Sequence, residues 1–72
     1  MLIKDKIEYF LMLLKLFAQR YGLDNQQAYT YISQHNGVEY VEQHYNILHT
    51  LSFRDMVDSL AAYCHKNGGS LQ

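Results

Sequence analysis

Apolar positions recur at helical spacing in four blocks along the chain. In the first, Ile3, Ile7, Phe10, Leu14, Phe17 and Tyr21 follow steps of four and three residues, the repeat that holds side chains on one face of an α-helix. The spacing predicts a helix from Ile3 to Tyr21, with Gly22 as the left-handed residue that commonly ends one. Asp24 with Gln27 three residues on has the form of a capping box. A second helix should follow over about Asn25 to His35, turning Ala28, Tyr31, Ile32 and His35 inward, and Asn36-Gly37 reads as its stop. The third block predicts a short helix from Val38 to Leu48. Val38, Val41, Tyr45 and Leu48 form its stripe, and Glu39, Glu42 and Gln43 lie largely off it. After the connector His49-Thr50-Leu51-Ser52, Ser52 with Asp55 gives another cap signature for a last helix from Phe53 to Lys66. Its inward residues are Phe53, Met56, Val57, Leu60 and Cys64. The expected fold is all-α: one long N-terminal helix packed by three shorter helices, forming a single domain over residues 1–67 with a flexible tail at 68–72.

The first helix carries more apolar surface than its core stripe uses. Projected at about 100° per residue, Leu2, Tyr9, Leu13 and Leu16 cluster on a second, adjoining strip, with Met12 at its margin. Lys4, Glu8, Lys15 and Gln19 hold only a narrow polar arc. Three short helices would struggle to wrap so wide an apolar arc. Burying one leucine contributes roughly 1.5–3 kcal/mol, so leaving three leucines and a tyrosine in water would forfeit on the order of 5–8 kcal/mol. A contiguous exposed patch of that kind marks an interaction surface. The sequence therefore nominates Leu2, Tyr9, Met12, Leu13 and Leu16 as a protein interface, toward either a separate protein or further copies of the chain. The competing expectation is that the second and fourth helices close over both strips and nothing remains exposed.

Composition narrows the function class. Seventy-two residues with 49% hydrophobic content, no proline and seven tyrosines describe a chain that packs, at a size where one core is barely sufficient. A net charge of −1, with six Lys and Arg spread along the chain, supplies little drive toward a phosphate backbone. The two helices around Asn36-Gly37 could imitate a helix-turn-helix, yet the second would present Glu39, Glu42 and Gln43 to DNA, so nucleic acid is not the expected partner. The greasy stretch Tyr9 to Ala18 is broken by Lys15 and is far short of a membrane span. One cysteine rules out an internal disulfide and fits a reducing compartment, so the expected location is the cytoplasm.

Candidate chemistry is sparse. The stretch from His35 to Thr50 holds three histidines, but His44 and His49 are five residues apart, which does not place them on one helical face as a zinc-binding helix requires. Cys64 and His65 are neighbours in sequence and point about 100° apart on a helix, so they do not form a nucleophile and base. No catalytic residue, cofactor, metal or small-molecule substrate is expected, and the chain is read as a non-enzyme. His49, between the third helix and the cap of the fourth, has a structural task open to it: bonding carbonyls left over at a helix end.

The segment from Tyr21 to Leu60 resembles a family of small bacterial proteins known as domain of unknown function thirty-seven ninety-one. The features that carry the resemblance are Tyr21-Gly22-Leu23, Gly37-Val38, Tyr40, Tyr45, Leu48-His49-Thr50 and the helix from Phe53; Leu51-Ser52 stands where the family commonly has a glycine. The resemblance implies no catalytic residues. It implies a small companion of a second bacterial protein resembling ADP-ribosyltransferases, in an arrangement typical of toxin and antitoxin pairs.

Overall fold

The computed structural model describes residues 3–70. Among them run four helices and no strand: α1 (Ile3–Tyr21), α2 (Asn25–Gln34), α3 (Gly37–Leu48) and α4 (Phe53–Lys66). Their lengths are 19, 10, 12 and 14 residues. α1 touches each of the other three, α2 also packs on α3, and α3 on α4.

The helix ends follow the local sequence. Gly22 has φ 67°, and the Leu23 N–H returns to the Ala18 carbonyl at 2.9 Å, a closing turn in which Leu23 packs against the core. At the start of α2, Asp24 accepts from the Gln27 N–H at 2.7 Å while the Gln27 side chain accepts from the Asp24 N–H at 3.0 Å. Both halves of the capping box are thus made. Ser52 Oγ accepts from the Asp55 N–H at 3.2 Å to open α4.

Between α2 and α3 the two turn residues divide the work differently from expectation. Asn36, not Gly37, takes the left-handed conformation, with φ 64°. Gly37 is buried as the first residue of α3, and a Cβ there would fall 2.5 Å from Ile32 Cγ2 and 3.1 Å from Cys64 Sγ. Glycine is needed at Gly37 because α2, α3 and α4 meet closely at that point. α3 itself bends at His44, whose φ of −111° and ψ of 17° leave the helical range.

The core draws on all four helices. Leu13 and Phe17 from α1, Ile32 from α2, Leu48 from α3 and Met56, Leu60 and Cys64 from α4 are its fully buried larger side chains. Two residues expected inside are not: Ile7 is 54% exposed and Phe53 is 61% exposed. Phe53 is the first residue of α4, with no helical turn before it for its side chain to lie against. Ile7 faces Val38 and Val41 of α3 across a groove that those residues do not close. Leu2 lies outside the described residues, as does the side chain of Ile3.

The end of α4 is also tied down. Gly68 has φ 94°, the Gly68 N–H donates to the His65 carbonyl at 3.2 Å and the Gly69 N–H to the Cys64 carbonyl at 2.9 Å. Gly69, which the sequence places in the tail, is buried with no room for a side chain beside Tyr31. His35 Nδ1 bonds the Asn67 carbonyl at 3.0 Å and the Asn36 amide reaches Asn67 Oδ1 at 3.4 Å, so the turn after α2 holds the last turn of α4. Residues 71–72 of the expected tail lie outside the described ones.

Candidate functional site

The strip nominated from sequence faces inward. Leu13 is fully buried, at 0% exposure, among core residues that include Met56 and Leu60. Tyr9 is half-buried; its ring meets Tyr45 edge-on at 5.1 Å between centroids, and its hydroxyl donates to Met56 Sδ at 2.8 Å. Burial, with the nearby Tyr45 hydroxyl as the smaller cause, raises the Tyr9 phenol above its ordinary value. Leu16 is half-buried and lines a shallow groove with Phe53 and Val57 of α4. The expectation that Leu13 lies on an exposed strip is therefore corrected: α3 and α4 roof that side of α1. Of the nominated residues, Met12 keeps a partly open side chain, at 37%.

The apolar surplus of α1 is found on the other flank. Ile7 and Leu11, four residues apart and hence stacked on one face, are 54% and 57% exposed. Ile7 and the half-buried Phe10 form one wall of a groove of about 260 Å³ whose other wall is Val38 and Val41 of α3. Lys6 and Glu42 stand at the same groove with opposite charges, and among the described residues they form no ion pair with each other. Tyr29 of α2, half exposed, meets Phe10 edge-on at 6.3 Å and extends the apolar surface past the groove. One helix face and two neighbouring helices thus present a concave apolar patch with one charge of each sign beside it.

The sequence missed this face because both Ile7 and Phe10 fit the core stripe of α1, and nothing in their spacing reports where the neighbouring helices close.

The aromatic and histidine clusters have structural partners. Tyr40 stacks on Tyr63 at 4.3 Å and Tyr45 on His49 at 4.8 Å. His49 Nδ1 bonds the Tyr45 carbonyl at 2.8 Å, so its ring satisfies a carbonyl in the last turn of α3 as its position suggested. Because the carbonyl can only accept, His49 donates from Nδ1. Cys64 is fully buried, and burial pushes its thiol up to about 11, which keeps it protonated and unreactive at neutral pH. Arg20 pairs with Asp58 across α1 and α4 at the surface, and that hydrogen-bonded carboxylate, as the largest cause, raises the guanidinium above its usual range. No helix of the described residues is long and apolar enough to cross a membrane.

No curated protein and no solved structure gives a significant match to the chain. Residues 8–67, spanning most of α1 through the end of α4, match the profile of a family described as Protein of unknown function (DUF3791). That span contains the groove walls Phe10, Val38 and Val41, the Gly37 close approach and the His49 cap, and the chain belongs to the DUF3791 family.

Proposed function

We propose that the chain is a small protein-binding module whose docking face is the groove between α1 and α3, flanked by Leu11 and Tyr29. In this reading α1 is the long mast, packed by the three shorter helices, and its Ile7–Leu11 face is left open for a partner. The observation that carries the reading is the pairing of Ile7 and Leu11, both more than half exposed and one helical turn apart, with Ile7 forming a wall of an apolar concavity. With a little over half of each side chain in water, the two forfeit roughly 1.5–3.5 kcal/mol of burial, a sizeable share of the stability of a small domain, and docking recovers it. Cytoplasmic residence follows from the lone thiol, and a regulatory, antitoxin-like role beside an ADP-ribosyltransferase-like protein follows from the family resemblance. The module supplies no chemistry of its own in this reading; it acts by covering or positioning its partner.

The test is co-expression with the product of the adjacent gene. A stable complex that is lost on Ile7→Glu or Leu11→Glu, with the helical content of the variants unchanged, supports the reading. A complex indifferent to both substitutions removes this face from the account.

A further inference from the structure

We infer that, in the free chain, the α1–α3 groove is closed by a second copy of the same chain through a two-fold contact in which Leu11 of each copy seats in the groove of the other. The inference rests on the reading of this face as a protein interface and names its resident occupant.

Three observations favour a second copy. The first is that the face holds both a projection and a recess. Leu11, 57% exposed, stands one helical turn beyond Ile7, and Ile7 is a wall of the groove. A two-fold interface uses the same patch on both subunits, so a patch that carries its own complement suits it. The second is size and lining. At about 260 Å³ the recess falls just below the roughly 300–1,000 Å³ of small-molecule sites and has room for an inserted leucine side chain. Ile7, Phe10, Val38 and Val41 give it apolar walls, and the two polar residues that line it, Lys6 and Glu42, are single charges of opposite sign. The third is charge. Lys6 and Glu42 line the same groove with opposite charges, so a two-fold contact centred on it has a cation and an anion on each copy to pair across the interface. Such pairs at an interface rim set register and orientation more than they add affinity. A net charge of −1 on each copy opposes the approach only weakly. A standard interface takes about 800 Å² from each partner, close to one sixth of the chain's 4854 Å² surface, which Ile7, Leu11, Tyr29 and the groove rim can form the centre of.

The experiment is sedimentation of the full chain from low micromolar to millimolar concentration, beside Leu11→Lys, Lys6→Glu, Glu42→Lys and the double swap Lys6→Glu/Glu42→Lys. The expected result is a reversible dimer, with its dissociation constant raised about 100-fold or more by Leu11→Lys, as for a central anchor. Each single charge reversal should weaken it about 5- to 10-fold, and the double swap should recover most of that loss, the signature of a direct pair. Circular dichroism and thermal melting confirm that each variant is folded, and Leu11→Ser replaces Leu11→Lys should the lysine perturb the helix. A chain that stays monomeric at millimolar concentration overturns the inference, as does a dimer indifferent to Leu11 and to both charges. A polarity-sensitive dye then separates the two levels. A monomer that binds the dye, and loses it on Leu11→Lys, keeps the face as a docking site for another protein; a monomer that binds none removes the docking reading as well.

Discussion

The two halves of α1 are alike in sequence and opposite in fate. From Leu13 to Ala18 the helix gives four residues to the core, Leu13, Leu14, Phe17 and Ala18, and its neighbours close over them. From Lys6 to Met12, Ile7, Leu11 and Met12 remain open to water although they are as apolar as the residues that follow. Neither helix propensity nor periodicity separates the halves. What separates them is cover: α3 and α4 close over the side of Tyr9 and Leu13, while Val38 and Val41 of α3 face Ile7 across a groove that stays open. Exposure of an apolar residue is therefore decided by the length and direction of other elements, a nonlocal property that a single helix cannot encode.

The comparison breaks most visibly in the covered half. Phe17→Ala should cost about 3–5 kcal/mol, because a fully buried ring is replaced by a cavity among helices that cannot collapse freely. At roughly 0.05–0.15 kcal/mol per residue the whole chain holds only about 4–11 kcal/mol, so this variant should be largely unfolded or melt far earlier in urea. A loss under 1 kcal/mol would mean that the covered half is not the core.

A second expectation concerns pH and the same interior. Cys64 is buried and its thiol is held up at about 11, against an ordinary 9.0, so the unfolded chain releases its proton first as the solution becomes alkaline. Its contribution is complete below pH 9 and is lost between pH 9 and 11, amounting to about 2–3 kcal/mol by linkage. Chemical denaturation across that range should show a steeper fall for the native chain than for Cys64→Ala, which shares every tyrosine titration. Parallel curves would show that the site admits water.

Next in size is Gly37→Ala, with an expected cost of about 1–3 kcal/mol from overpacking. The added Cβ would meet Ile32 Cγ2 at 2.5 Å and the Ile32 carbonyl at 3.0 Å, and a β-branched side chain on a packed helix yields little. Gly22→Ala adds nothing to steric crowding and is opposed by its φ of 67° alone. Equal costs at the two glycines would refute the close approach as the reason for Gly37.

Much of the architecture was legible because it is written locally. The bounds of α1, the Asp24–Gln27 box, the Ser52 cap and the Gly22 stop each depend on residues within four positions of one another, and the structure has them all. The family resemblance was legible for a related reason, since turn and cap residues such as Gly22-Leu23, Gly37-Val38 and Leu48-His49-Thr50 keep a fixed spacing. The interaction face was not legible. It needed to be known that Leu13 is closed into the core and that Ile7 faces an open groove beside α3, and both facts are tertiary. Gly69 failed for the same reason, since a glycine pair after a helix looks like a loose end until Tyr31 is seen beside it.

The smallest expected effect is also the most discriminating. Leu11→Ala and Leu13→Ala make the same chemical change two residues apart on one helix. For Leu13 the expected cost is about 2–5 kcal/mol, and for Leu11 it is within about 0.5 kcal/mol, provided both are measured at low micromolar concentration, where no self-contact contributes. Raising the protein concentration should leave the Leu13 difference unchanged and enlarge the Leu11 difference, because association that buries Leu11 stabilises the folded chain by mass action. The concentration dependence separates a merely exposed leucine from one reserved for an interface. If the Leu11 difference stays flat to millimolar concentration, the open half of α1 is not sheltered by a second copy, and the stability of the chain rests on the covered half alone.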